Sequence, residues 1–503
     1  MPDSSQLTAG KVYLVGAGPG DAGLITLRGV QCLGRAELVL YDYLANPELL
    51  RHAPDTAEVI CLGRHGNDRI MGQEEINARM IAAAQAGRVV VRLKGGDPAI
   101  FGRAAEETAA LQTAFVEYEI VPGVTAALAA GSYAGIHLTH RDQASAVALI
   151  TGQEGDGKQT AAIDYAALAR FPGTLVFYMG VTTADVWSQA LVDAGKPPTT
   201  PVAIIRRCSW PDQLAIRCTL QSVPSTLRER HVRPPVIVIV GDVAGSAETT
   251  TWFTARPLFG QTVLVTRPSH QAATLGDLFQ EQGAQVLYQP AIEIRPPADW
   301  QPVDAALGQL HEFDWLVFSS SNGVEFLLNR LLATGGDLRR LGDVRLAAIG
   351  PGTAGALADF HLNADLVPDE FRAESLAATL ADKAAGSRFL LIRASRGREV
   401  LADELQAAGG HVRQVVVYQS VDVTRADDEI AAALDAGKLD WITVTSSAIA
   451  RSLDNIFGRS LENAKLASIS PVTSATLSEL GHPPAVEAER YTMAGLVDAI
   501  ARR

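Results

Sequence analysis

The sequence predicts an α/β protein of several domains. Three observations carry this: strand-like apolar runs alternate with helical periodicity along the whole chain, glycine-rich turns follow several strand runs, and the second half repeats itself. At 503 residues, against roughly 150 per domain, one core is too few and two to four units are expected. With 47% hydrophobic and 20% charged residues, little of the chain is left for long disordered tracts.

Taken in order, KVYLVGAG (11–18) reads as a strand into a Gly-rich turn, LITLRGVQCLGRA (24–36) as a helix and ELVLYD (37–42) as a strand. RVVVRLKGGD (88–97) is another strand running into a loop. PGTLVFYMG (172–180) opens a second strand-rich half after the polar loop TGQEGDGKQT, so a division near 140–160 is expected. PPVIVIVGDVA (234–244) is the last buried strand of the first unit. The polar, non-periodic stretch after it, 246–258, reads as the main linker.

Beyond the linker, DWLVFSSSNGVEFLL (314–328) matches DWITVTSSAIARSL (440–453) at a constant offset of 126, and RLAAIGPGTAGAL (345–357) matches KLASISPVTSATL (465–477) at 120. The repeat implies two pseudo-equivalent α/β domains. In each, a strand ends in a Ser/Thr cluster and another in a turn with Pro at its start. Ser319, Ser320, Thr353, Thr445, Ser446 and Thr473 stand where strand hands over to helix, so they either receive anionic groups of a ligand or serve as helix N-caps.

The formal net charge of −13 argues against a nucleic-acid or anionic-membrane surface. The longest apolar runs fall far below the roughly 18 residues of a membrane span, and the start MPDSSQLTAG lacks a secretory apolar core; a cytoplasmic location is expected. Cys32, Cys61, Cys208 and Cys218 form no C-x-x-C pair and the histidines are scattered, so no disulfide framework and no metal site is expected. Thr139-His140-Arg141-Asp142 contains H-R-D, but no kinase glycine loop, V-A-I-K lysine or D-F-G accompanies it.

Two Gly-rich loops carry the chemistry. Gly16-Ala17-Gly18-Pro19-Gly20-Asp21 follows a strand, with Asp42 at the end of the next strand, like a dinucleotide fingerprint. The third glycine is replaced by Asp21, whose carboxylate satisfies the helix N-terminus and repels a phosphate, which excludes NAD(P). In VRLKGGDPAIFGR (91–103), adjacent Gly95 and Gly96 allow close backbone approach and Pro98 stiffens the residues after it. A ligand read through backbone groups without a phosphate suits S-adenosyl-L-methionine.

Here the sequence resembles the tetrapyrrole methyltransferases, and among them uroporphyrinogen-III C-methyltransferases, over about 10–245, through LVGAGPGDAGLITLRG, VRLKGGDPAIFGR, VPGVTAALAAGSYAGIHLTHRD, TLVFYMG and PPVIVIVGDV. The part from about 259 to 503 resembles uroporphyrinogen-III synthases, through TVLVTRP, FSSSNGV, AAIGPGTAGAL, FRAESL and VVVYQS. The resemblance implies a two-lobed methylase fold with lobes at about 10–145 and 146–245. It also implies two doubly wound synthase domains, the first from about 259–291 plus 422–503 and the second about 292–421. S-adenosyl-L-methionine would contact Pro19, Gly95, Gly96, Asp97, Ile100, Thr125, Ala126, Met179, Ala203 and Cys208. A homodimer through the methyltransferase half is also implied.

The implied reactions are cyclisation of hydroxymethylbilane to uroporphyrinogen III and its methylation at C2 and C7 to precorrin-2. The alternative is methylation of another corrinoid beside a non-catalytic tetrapyrrole-binding module. Asp42 is the candidate base for the pyrrole proton, or else a capping or salt-bridged carboxylate. The substrate is a polycarboxylate, so Arg28, Arg64, Lys94, Arg103 and Arg141 are candidate clamps, or ordinary surface charges. Arg64 replaces a lysine common in the family and cannot act as a proton donor. Tyr418 matches a family tyrosine proposed to assist loss of hydroxyl, or is a strand-core tyrosine.

Overall fold

The computed structural model describes residues 10–63, 71–153, 163–245, 251–397 and 399–503. The chain divides into two compact units at 261/262, with 281–285 grouped with the first.

The first unit holds two five-stranded sheets. β1 (Lys11–Gly16), β2 (Leu38–Tyr41), β3 (Glu58–Cys61), β4 (Val90–Lys94) and β5 (Glu117–Val121) form a parallel sheet in the order β3-β2-β4-β1-β5. Helices cover both faces, so β1 and β4 are buried almost throughout; β1 is a nearly continuous apolar run, whereas β4, VVRLK, carries Arg92 and Lys94 into the interior. Because the strands are parallel, the loops after β1, β2, β4 and β5 gather at one edge, where α/β sheets bind ligands. The stretch read as one helix at 24–36 is a 3-10 turn, Ala22–Leu24, followed by the helix Leu27–Leu33. Thr26 separates them, its hydroxyl accepting from Gly29 N as an N-cap.

β6 (Val147–Thr151), β7 (Thr174–Tyr178), β8 (Pro201–Arg206), β9 (Leu214–Thr219) and β10 (Val236–Val240) form the second sheet in the order β6-β7-β10-β8-β9. β10 lies antiparallel between β7 and β8 and is fully buried. β7 and β8 therefore run the same way and deliver the turns containing Met179 and Cys208 to one edge. The helix Ala126–Tyr133 from the first sheet's domain packs beneath this sheet, its Ala127 and Ala130 clustering with Val176, Ile205 and Ile239.

Of the stretch expected to be a linker, residues 246–250 lie outside the described residues, and 251–258 is structured. From 251 the chain docks on the first unit: Thr251 Oγ1 donates to Tyr133 O at 3.0 Å, and Phe253 is buried in the same cluster. Trp252 and Phe253 both meet the Tyr133 ring edge-on. Two aromatic residues amid Thr and Ala supply the apolar area that overrides the polar composition.

In the second unit, β11 (Thr262–Val265), β12 (Gln285–Tyr288), β18 (Trp441–Val444), β19 (Lys465–Ser468) and β20 (Val486–Glu487) form one sheet in the order β12-β11-β18-β19-β20. β13 (Ile292–Arg295), β14 (Trp315–Phe318), β15 (Arg345–Ala348), β16 (Arg388–Ala394) and β17 (His411–Asp422) form the other in the order β13-β17-β16-β14-β15. The sequence repeat is a structural one. β14 and the helix Ser321–Ala333 recur as β18 and the helix Ser447–Phe457, and β15 with Pro351–Asp359 recurs as β19 with Pro471–Glu479.

Candidate active sites

In the first unit three loops meet backbone to backbone. Ala17 N donates to Lys94 O at 2.7 Å, and Gly18 and Gly96 exchange two hydrogen bonds, at 3.2 and 2.7 Å. A Cβ on Gly123 would stand 2.3 Å from Gly96 O and 2.8 Å from Gly16 Cα, so only glycine permits this approach. Asp97 fixes the second loop from within, accepting from Ala99 N at 2.8 Å and from Gly123 N at 2.9 Å. Asp21 accepts from Gly23 N at 2.8 Å and from the Tyr133 hydroxyl at 2.8 Å, so the carboxylate is a cap that leaves no room for a phosphate.

The second sheet closes the cradle. The Tyr178 hydroxyl lies 2.7 Å from Thr125 Oγ1 and accepts from Ala127 N at 3.0 Å, and the Phe101 ring packs 5.0 Å from the Tyr178 ring. Phe101 and Met179 hold left-handed backbone (φ 53° in both) while leaving 41% and 48% of their surface exposed. Strain that presents apolar side chains to solvent at one edge is a feature of binding clefts. Pro19, Gly95, Ile100 and Ala126 are half-buried around these loops. Ala203 and Cys208 are enclosed in the core beneath, where burial pushes the Cys208 thiol well above its ordinary range; there they offer main chain rather than side chain.

Asp42 lies just past β2. Its Oδ1 is bonded by Arg92 Nη2, and Arg92 Nε reaches Glu107 Oε1 at 3.1 Å. Lys94 Nζ donates to Glu107 Oε2 at 2.8 Å. Two cations and two carboxylates thus form a charge-balanced row, in which Arg92, Lys94 and Glu107 are buried and Asp42 is the end that reaches solvent. Burial, reinforced by neighbouring Arg92, pulls the Lys94 ammonium below its usual range, against the opposing pull of Glu107.

The five candidate clamps do not share one environment. Lys94 is neutralised inside the fold. Arg28 forms a two-bond pair with Glu119, at 2.8 and 2.9 Å, and Arg103 pairs with Glu106. Arg141 is exposed, and Arg64 lies outside the described residues. Sequence reasoning missed Arg92, Glu107, Tyr133 and Tyr178. Two basic residues spaced i, i+2 in an apolar strand, as in VRLK, were the available signal, since one face must then supply an acid.

In the second unit Tyr418, buried on β17, stands with its hydroxyl 3.0 Å from Ser320 Oγ and its ring 5.8 Å from that of Phe326. Ser320 caps the helix Ser321–Ala333 by accepting from Gly323 N, and Ser446 caps its counterpart by accepting from Ile449 N. Ser320 therefore serves both as a cap and as a side-chain contact. Ser319 donates to Ile392 O at 3.1 Å, Thr353 and Thr473 are buried in the first turns of their helices, and Thr445 is half-buried.

Residues 11–224 match the model of the tetrapyrrole (corrin/porphyrin) methylases, and residues 273–498 match that of uroporphyrinogen-III synthase HemD. The porphyrin biosynthesis protein HemD of Ruminiclostridium josui is 32% identical over 485 residues, covering 96% of this chain and 94% of that protein. The chain belongs to the family that fuses a tetrapyrrole methylase to a uroporphyrinogen-III synthase. The S-adenosyl-L-methionine-dependent uroporphyrinogen III methyltransferase of Methanosarcina barkeri is 44% identical over 46% of this chain and 92% of its own length. A structure of uroporphyrin-III C-methyl transferase from Thermus thermophilus complexed with S-adenyl homocysteine matches at 38% identity over 46% of this chain and 93% of that one, with a TM-score of 0.40. Both halves are α/β, the first a methylase and the second a synthase, and the chain is a tetrapyrrole-biosynthesis enzyme that uses S-adenosyl-L-methionine. The methylase half fits that methyl donor: a Cβ on Gly96 would meet no atom closer than 3.9 Å, and Asp21 stands where a dinucleotide would need an anion site. Among the described residues, no helix is long and apolar enough to cross a membrane.

Proposed function

We propose that the synthase half cyclises hydroxymethylbilane to uroporphyrinogen III and that the methylase half methylates this product at C2 and C7 to give precorrin-2. The observation that carries the second step is the Gly16–Gly96–Gly123 contact, a backbone cradle at the end of β4, with Asp42 bonded to that strand through Leu93 O and its carboxylate reaching solvent. When bound, the donor supplies an electrophilic methyl group on a sulfonium. The Gly95-Gly96-Asp97 turn, Pro19, Ile100, Thr125, Ala126 and Met179 hold it, with main chain near Ala203 and Cys208, and position matters more than acid–base strength in such a displacement. Once the methyl group has passed from sulfur to the substituted ring carbon, the cationic macrocycle sheds a proton from its pyrrole nitrogen or adjoining bridge carbon, and Asp42 takes it, with Arg92 fixing its orientation. Arg28, Arg64, Arg103 and Arg141 are retained as contacts for substrate carboxylates.

In the synthase half, Tyr418 assists departure of the hydroxyl and Ser320 orients its phenol. Ser319, Thr353, Thr445, Ser446 and Thr473 border the folded linear substrate. The proposal extends to functional boundaries of 10–245, 259–291 with 422–503, and 292–421, to a cytoplasmic homodimer, and to no nucleic-acid or membrane partner. The test is anaerobic incubation of the full chain with hydroxymethylbilane, with and without S-adenosyl-L-methionine. Type III uroporphyrin after oxidation without donor, and a mass gain of two methyl groups with it, are expected. Only type I isomer, or a different acceptor, would reject the corresponding step.

A further inference from the structure

Arg267 follows β11 by two residues, at the strand end from which a parallel α/β sheet presents ligands. Its Nη2 donates to Gln271 Oε1 at 2.8 Å and its Nη1 stands 2.9 Å from Met493 Sδ. Its Nε is sealed from solvent and has no hydrogen-bond partner. Burial pulls the guanidinium below its ordinary range, and no acidic neighbour opposes that. In the first unit the buried cations Arg92 and Lys94 are met by a carboxylate, Glu107. At Arg267 an amide oxygen and a thioether are all the fold provides among the described residues, an arrangement that costs stability unless an anion arrives.

The arginine is also wired to the tyrosine turn. Gln271 Nε2 donates to Asn322 Oδ1 at 2.6 Å, and His270 Nε2 stands 3.2 Å from the same oxygen. Asn322 belongs to the first turn of the helix capped by Ser320, whose hydroxyl meets Tyr418.

We propose that Arg267 is a substrate-binding residue of the synthase half that holds a carboxylate of the linear tetrapyrrole, which replaces Gln271 Oε1 on Nη2 and supplies the bond that Nε lacks. This rests on the proposed cyclisation of hydroxymethylbilane. A planar fork suits a carboxylate bidentately, which a lysine reproduces only as a point charge.

The test compares the full chain with Arg267→Met and Arg267→Lys, measuring KM and kcat for hydroxymethylbilane, the thermal midpoint, and methylation of added uroporphyrinogen III. Arg267→Met should raise KM about 10- to 100-fold, the loss of one charge-assisted contact. It should leave the midpoint unchanged or higher, because a half-buried guanidinium with an unsatisfied Nε and no ion pair among the described residues has been removed. Arg267→Lys should recover part of the affinity, and methylation should be unaffected. A KM within about twofold of the unaltered chain overturns the inference. So does a lowered midpoint with kcat lost and KM kept, which is what a purely structural strut would give. If the unaltered chain itself forms no type III isomer, the cyclisation reading fails, and Arg267 with it.

Discussion

Replacing Gly123 with alanine tests the cradle directly. Gly123 has no left-handed backbone to protect, so alanine brings only its methyl group. That group would stand 2.3 Å from Gly96 O and 2.8 Å from Gly16 Cα, against an ordinary contact of about 3.5 Å. The loops must part by about 1 Å, straining the Asp97–Gly123 N hydrogen bond of 2.9 Å and the Gly96 N–Gly18 O bond of 2.7 Å. Overpacking of this kind costs about 1–3 kcal/mol, and a displacement of about 1 Å between reacting groups costs about 100-fold in rate. The assay is methylation of added uroporphyrinogen III, with donor affinity by calorimetry and cyclisation of hydroxymethylbilane as the control in the same chain. Donor affinity should fall about tenfold and methylation about 100-fold, with cyclisation untouched. Donor affinity and methylation both within about twofold of the original would refute the argument that the glycine contact shapes the site.

Glu107→Gln leaves Arg92 and Lys94 buried with too little negative charge; the first unit should lose about 3–5 kcal/mol in a urea titration, and an unchanged midpoint would count against a charge-balanced row. Tyr418→Phe keeps the ring against Phe326 and removes the hydroxyl from Ser320, so stability should change by about 1 kcal/mol while cyclisation falls about 100-fold, as chromatography of the type III and type I isomers would register. Phe253→Ala should cost the first unit about 3–5 kcal/mol in a thermal melt; a negligible change would mean that the 251–258 segment is not docked in solution.

Strand positions were legible because their cause is local. β1, β7 and β10 are mainly apolar runs bounded by Gly or Pro, and the repeat set the equivalence of β14 with β18 without any structure. The role of Asp21 was legible for the same reason, since one carboxylate at a helix start has few uses. The hidden features depend on which faces meet. Glu107 reads as a surface acid in AAEETAALQT, and only the packing of its helix on the strand bearing Arg92 and Lys94 turns it inward. Gln271 and Asn322 are 51 residues apart, and nothing in either local pattern announces their contact. The 251–258 segment reads as a linker because composition counts polar residues but not where two aromatic rings land.

The strand orders also bear on the sequence of events during synthesis. β10, the final strand of the first unit, is the one that joins β7 to β8, so the second sheet stays open until residue 240 has emerged. In the second unit, β11 pairs with β18, which begins at Trp441 and leaves the ribosome long after it, whereas β13 to β17 are contiguous. The interior sheet can close while β11 and β12 still wait with exposed edges. A nascent chain therefore carries the β12–β11 pair with the β18-facing edge of β11 open through most of the second half's translation, and that interval is where chaperone engagement or aggregation should concentrate.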